Sequence, residues 1–362
     1  MKVGIITWHY FNNVGSNLQA YAMQKIIKNL GHNPTFINYR YKIYKDSFLK
    51  KVIKEFCIII DKIFPNLVNE KMRFGAYSFQ KEEMQKTEEI YDKKKLEEIA
   101  LKFDAVVCGS DQIWAPNVFD EVYMLSFVGE KVKKIAYAPS IGLNEIPENL
   151  VEKYKKYIGR LDRVSTREDN GVKLLKEYCG IEAEQVLDPT LLIEKTEWLE
   201  LVKNENTFKE KYIFIYLLGE KKWIREWIQK FAKNTKMKVI LLSSFNDDKK
   251  YADIYYKVMG PRKFIKLVSE AQYVLTDSFH GTIFSILFQK QFYVFDRFDS
   301  KEKLCQNSRI ISLLEILELE DRRVRSNDEV KLIDKKIEYE KINNKLEKER
   351  EKSLKFLSES LN

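Results

Sequence analysis

Short apolar runs alternate with helix-period stretches twice along this chain, and a charged stretch at 203–211 separates the two series. The first opens with Val3 to Thr7, the loop HYFNNVGSN, the stretch LQAYAMQKIIKNLG and a strand pattern from Thr35 to Tyr39, which together read as a βαβ unit. Leu18, Tyr21, Ala22, Ile26 and Leu30 keep helical spacing, and Gly31 stops the helix. The series resumes with strand patterns at 104–111 and 134–140, a helix at 147–158, the strand RVSTRE, a helix at 170–178 and a short strand at 185–187. The second series runs YIFIYLLG, a helix at 221–233, KVILLSS, a helix at 261–269 and YVLTDS. Two βα series in succession imply an α/β protein of two Rossmann-like, doubly wound domains. Ligands then belong outside the carboxyl ends of the strands and in the cleft between the domains.

The predicted boundaries are 1–204 for the first domain, with a lysine-rich helical insertion at 41–100, then 205–326 for the second and 327–362 for a long C-terminal helix docked on the body. A chain of 362 residues exceeds what one hydrophobic core usually serves, in keeping with two domains. The formal charge of +9 permits anionic partners, but lysine is interleaved with glutamate along the chain and forms no single basic tract, so nucleic acid is not expected. Cys57, Cys108, Cys179 and Cys305 are scattered, which argues against a disulfide framework and a zinc site and suits a reduced cytoplasm. The start MKVGIITWHY reads as a first strand, and no run reaches the about 18 apolar residues of a membrane span.

With three histidines in the chain, each can be weighed singly. His32 follows Gly31 and reads as a surface turn residue. His9 lies just past the first strand, a place equally suited to a ligand contact and to a structural role. His280, in TDSFHGTIFSILF, sits between a buried strand and an apolar helix, where Gly281 allows close backbone approach and the helix start offers N–H groups to an anion. Ser278, Gly281 and Thr282 of the same turn are therefore candidate anion-binding residues. The loop after the first strand, with Asn12, Asn13, Gly15 and Asn17, suits a sugar or phosphate, but it carries no dinucleotide or P-loop signature. GSDQIWAP adds Ser110, Asp111, Gln112 and Trp114 as carbohydrate-contacting candidates, with a core anchor as the other reading of Trp114. Arg167 in STRED and Arg309 in QNSRI each offer a planar fork to a carboxylate or phosphate.

Taken in order, ITWHYFNNVGSNLQAYAMQKIIKNLGH, VVCGSDQIWAP, YAPSIG, STREDNGVKLL, VLDPTLL, VLTDSFHGTIFSILF and NSRIISLLEILELEDR resemble the polysaccharide pyruvyl transferase family, with only the 41–100 insertion poorly matched. The resemblance implies a GT-B-like fold, phosphoenolpyruvate as donor co-substrate without other cofactor or metal, and a sugar acceptor on a lipid carrier, joined as a pyruvate ketal. It also implies that His280 is the catalytic acid or base, a role that a histidine's ordinary pKa of about 6.5 suits in both directions. Arg167 matches the arginine of the family's Ser-x-Arg block. This chain departs from the family in carrying Ser278 where many members have arginine, and Arg309 with Arg297 are the candidate replacements.

Two other readings stay open on the residues alone: a glycosyltransferase of similar fold using a nucleotide-sugar donor, and a non-catalytic carbohydrate-binding assembly subunit. A cytoplasmic protein with peripheral membrane contact is expected. FLKKVIKEFCIIIDKIF at 48–64, with Lys50, Lys51, Lys54 and Lys62, can either lie on an anionic membrane or pack on the first domain.

Overall fold

The structure is a computed structural model, and it describes residues 1–9, 13–40, 75–299, 302, 304–325 and 336–362. The 48–64 stretch and Asn12 lie outside the described residues. Two six-stranded sheets are present, and every strand pair in them is parallel.

The first sheet is built from β1 (Lys2–Ile6), β2 (Asn33–Phe36), β3 (Ala105–Gly109), β4 (Lys133–Tyr137), β5 (Arg163–Thr166) and β6 (Glu184–Gln185), in the spatial order β2-β1-β3-β4-β5-β6. The second holds β7 (Tyr212–Leu217), β8 (Lys238–Ser243), β9 (Ile254–Tyr256), β10 (Tyr273–Thr276), β11 (Gln291–Phe295) and β12 (Arg323–Val324), in the order β12-β11-β10-β7-β8-β9. Strands such as YIFIYL are buried at every position because helices cover both faces of a parallel sheet. The strand order reverses between β1 and β3 and again between β7 and β10. These two switch points are where doubly wound sheets open a crevice at their carboxyl edge.

The helices are α1 (Val14–Asn29), α2 (Gly75–Glu83), α3 (Lys93–Ala100), α4 (Glu148–Ile158), α5 (Asp169–Leu174), α6 (Lys195–Leu201), α7 (Lys222–Thr235), α8 (Pro261–Glu270), α9 (Phe279–Leu287), α10 (Ser308–Leu317) and α11 (Tyr339–Leu361). Strand β2 is shorter than the expected Thr35–Tyr39 and starts earlier, with Pro34 tolerated because this is an edge strand. Phe36 and Tyr39 instead form bridges to Lys86 and Ile90, so the returning end of the insertion extends that edge. Helix α2 of the insertion packs on α8 of the second domain through a backbone crossing in which a Cβ on Gly75 would lie 2.7 Å from the Gly260 Cα. Arg262 on α8 completes the contact with ion pairs to Glu82 and Glu83.

Helix α11 begins at Tyr339, later than the expected 327. It runs from the second domain, where the Ile337 N–H donates to Gln291, to the first, where Phe356 meets Tyr137 and Arg163. Arg350 and Ser353, which interrupt its apolar pattern, are the residues that dock it. Arg350 Nε donates to the Leu191 carbonyl at 2.6 Å, and the Leu187 N–H donates to Ser353 Oγ at 2.9 Å. Leu346, Phe356, Leu357 and Leu361 are buried beside them, each burial stabilising by about 1.5–3 kcal/mol. Among the described residues, no helix is long and apolar enough to cross a membrane.

Candidate functional site

The carboxyl ends of both sheets face each other across a cavity of about 530 Å³. The first domain contributes Trp8 and Asn13 beyond β1, Ser16 on α1, and Asp111 and Gln112 beyond β3. The second contributes Tyr216 and Leu218 at β7, Ser243 and Ser244 at β8, and Lys257 and Met259 beyond β9. Asn13 caps α1 by accepting from the Ser16 N–H at 3.2 Å, and Ser16 Oγ donates to Asp111 Oδ2 at 2.5 Å. Asp111 itself is held at a left-handed φ of 67°, and its other oxygen accepts from the Gln112 N–H at 2.9 Å. The first-domain wall is thus a pre-formed set of short polar side chains.

Behind this wall lies His280, 7% exposed, on the first turn of α9. The helix reaches the sheet because a Cβ on Gly281 would lie only 2.4 Å from Thr276 Oγ1. Ser278 is its N-cap: its Oγ accepts from the Gly281 N–H at 3.3 Å, while its carbonyl accepts from the Thr282 N–H and Oγ1, both at 3.0 Å. Ser278, Gly281 and Thr282 thus cap and pack α9. His280 Nε2 faces Asp188 Oδ2 of the first domain at 3.6 Å. On the other side the ring rests on the start of α1, where a Cβ on Gly15 would fall 2.1 Å from Nδ1. Gly15→Ala is accordingly expected to push the imidazole off Asp188 and lower kcat by about 10²-fold with the far-UV circular dichroism unchanged. Steady-state kinetics on the folded variant check this.

Arg167 and Arg309 flank Phe279, the residue before this histidine, and Arg297 joins Arg309 through Gln306. Arg167, buried in the first domain, donates from Nη1 to Asp188 Oδ2 at 3.0 Å and lies over the Phe279 ring at 4.4 Å. Arg309 on α10 approaches the same ring at 6.0 Å and donates from Nη2 to Gln306 Oε1 at 3.0 Å; Arg297 donates to that oxygen at 3.4 Å. Two carboxylates nearby accept mainly from neutral donors, although Glu168 Oε2 is itself buried without a partner. Glu168 Oε1 accepts from Ser140 Oγ and the N–H groups of Ile141 and Gly142. Asp277 accepts from the N–H groups of Leu218 and Gly219, and burial still raises its pKa. By contrast Arg167 Nε, Arg167 Nη2 and Arg297 Nε are buried without a hydrogen-bond acceptor; Glu168 and Asp111 stand 3.8 and 3.9 Å from Arg167. Burial, then the positive charge of Arg167 and Arg297, pulls the Arg309 pKa down to about 9. Burial acts to raise the Asp188 carboxyl, but His280, Arg167 and Thr190 outweigh it and hold the group well below the usual carboxylate range.

Several expected residues are turned elsewhere. His9 is not a cleft residue: its ring stacks on Phe36, Nδ1 meets the Thr7 carbonyl and Nε2 meets Asn38, and burial pulls its pKa down to about 4. Trp114 is the core anchor, fully buried with Nε1 donating to the Tyr123 carbonyl at 3.0 Å. Asn17 accepts from Gln80 Nε2 at 2.7 Å and so ties α1 to α2 instead of facing a ligand. Ser110 is buried and donates to Asp188 at 2.9 Å. Asp188 and Glu168 were not singled out from the sequence. The signal was there in VLDPTLL, where a carboxylate breaks an apolar run, though it reads equally as a turn. Among the described residues, no group of three or more His, Cys, Asp or Glu is placed to hold a metal.

Comparison with solved structures shows a GT-B-like fold. The chain is similar to the UDP-GlcNAc 2-epimerase of Methanocaldococcus jannaschii, with a TM-score of 0.53 and 15% identity over 96% of this chain and 92% of that one. It is also similar to the Neisseria meningitidis UDP-GlcNAc 2-epimerase bound to UDP-GlcNAc, with a TM-score of 0.51 and 12% identity over 100% and 99%. At such identity the likeness is one of fold alone. No curated protein sequence matches significantly. The family model for polysaccharide pyruvyl transferase, however, matches residues 13–300, a span holding the Asp188–His280 pair, Arg167 and Arg297, and the chain belongs to that family.

Proposed function

We propose that the protein transfers the pyruvyl group of phosphoenolpyruvate to two hydroxyls of a sugar, forming a ketal on a lipid-linked precursor of a surface polysaccharide. The observation that carries this reading is the buried Arg167, which shares Asp188 with His280 and keeps Nε and Nη2 without a hydrogen-bond acceptor. Phosphoenolpyruvate is a compact anion with a carboxylate and a phosphate, and planar guanidinium forks match both. The polar wall of Asn13, Ser16, Asp111 and Gln112 supplies acceptors and donors for sugar hydroxyls.

In this scheme His280 gives a proton to C3 of the donor, and C2 becomes electron-poor. One sugar hydroxyl adds to C2, and phosphate leaves as the second hydroxyl closes the ketal. Of the two hydroxyl protons released, one restores His280 and the other departs with the phosphate. The arginines hold the donor carboxylate and the leaving phosphate as charge moves between them. The reading places the work at the cytoplasmic face of a membrane, where a lipid-linked acceptor is within reach.

Incubation with phosphoenolpyruvate and a panel of lipid-linked and nucleotide-linked sugars tests it. Acceptor-dependent phosphate release with a ketal-bearing product supports the proposal. Turnover of a nucleotide-sugar in place of phosphoenolpyruvate would assign glycosyl transfer, and oligosaccharide binding without turnover of any donor would assign an assembly subunit. Arg309→Ala is expected to raise the donor KM about 10- to 100-fold, the loss of one charge-assisted contact of about 1.5–3 kcal/mol, and to leave the acceptor KM within about twofold.

A further inference from the structure

We propose that Asp188 is a positioning residue that fixes the Nε2–H tautomer of His280 across the domain boundary. The inference rests on the reading of His280 as acid and base.

The geometry around Asp188 admits one electrostatic assignment. Oδ1 accepts from the Thr190 N–H at 3.0 Å and from Thr190 Oγ1 at 2.7 Å. Oδ2 accepts from Ser110 Oγ at 2.9 Å and from Arg167 Nη1 at 3.0 Å. With donors on both oxygens, one of them a guanidinium, the group is an ionised carboxylate and accepts only. Its Oδ2 faces His280 Nε2 at 3.6 Å, and that nitrogen is buried with no other hydrogen-bond partner. An imidazole lone pair turned toward this oxygen would set two electron-rich atoms against each other in a site of low dielectric. An N–H turned toward it is attracted, and the separation is one that closes to a hydrogen bond by a small rotation.

The opposite nitrogen carries the complementary signal. Nδ1 lies against Gly15 at the amino end of α1, a helix of 16 residues. The positive end of that helix favours a lone pair facing it and disfavours an N–H. The two elements belong to the first domain, whereas His280 belongs to the second. The proton-carrying atom is therefore defined only where the two domains meet, and a separated second domain would leave the tautomer open. Both contacts come from segments, VGSN and LDPT, that pack around the histidine from opposite sides.

Long-range proton–nitrogen NMR on protein with labelled histidine reads the tautomer directly, and the three histidines of the chain make assignment simple, His280→Ala identifying its own signals. In the wild-type protein the neutral His280 ring is expected to be protonated at Nε2. Asp188→Asn is expected to move it to a mixture or to Nδ1–H and to lower kcat by at least about 10²-fold while the donor KM stays within about twofold. An Nδ1–H ring in the wild-type protein overturns the proposal without any variant, which covers the case that Asp188→Asn does not fold. An unchanged tautomer in a folded Asp188→Asn protein overturns it too. An Nε2–H ring in a protein that never consumes phosphoenolpyruvate leaves the positioning intact and removes the pyruvyl-transfer reading. Turnover of phosphoenolpyruvate with an Nδ1–H ring does the reverse.

Discussion

Replacing His280 by alanine is expected to lower turnover by about 10²-fold or more, the usual contribution of a positioned general acid or base, while the protein remains folded. The structural reason for the second half is that Asp188 keeps its other partners when the imidazole is removed. Thr190, Ser110 and Arg167 still donate to it, so no uncompensated charge is left in the interior. The ring is also small and packs between Gly15 and Asp188 of the first domain. Turnover measured alongside a denaturant midpoint checks both halves. Full activity in a folded His280→Ala protein would remove the histidine from the mechanism.

Arg167 is expected to behave differently, because the same side chain supports fold and donor. Its side chain and that of Asp188 are both fully buried. Arg167→Ala leaves a carboxylate in the interior without its cation, a change that costs about 3–5 kcal/mol out of a total stability of about 5–15 kcal/mol. A large fall in the denaturant midpoint is the expected result. Arg167→Lys separates the two roles, since it keeps the charge beside Asp188 but loses the planar fork over Phe279. That variant is expected to retain most of the stability and to raise the donor KM by at least about 10-fold. A wild-type donor KM in folded Arg167→Lys would reduce Arg167 to a structural partner of Asp188.

The architecture was legible in the order of residues because it is a local property repeated many times. Short apolar runs alternating with period-3.6 patterns, with Gly31 as a stop, announce βα units, and a second series after the charged stretch announces a second sheet. His280 was legible for a related reason: it stands at a strand-to-helix turn of an open α/β sheet, where ligands gather whatever the chemistry. The family blocks added the expectation of an anionic donor.

What the side chains of those same loops do was decided only by the tertiary structure. Trp114 and His9 sit in loops of the right composition but turn into the core, because burying an aromatic ring outweighs leaving it at a polar cleft. Ser278 stands in a turn read as an anion seat, and the structure shows its Oγ capping α9 by accepting from the Gly281 N–H. Asp188 was hidden in a turn motif, and it gains its meaning from its neighbour Thr190 and from Ser110, Arg167 and His280, which lie on three other segments. A sequence carries the period of each element and the chemistry of each residue. Which carboxylate meets which cation depends on how the two sheets face each other, and that is set by the packing of α2 on α8 and of α11 across both domains.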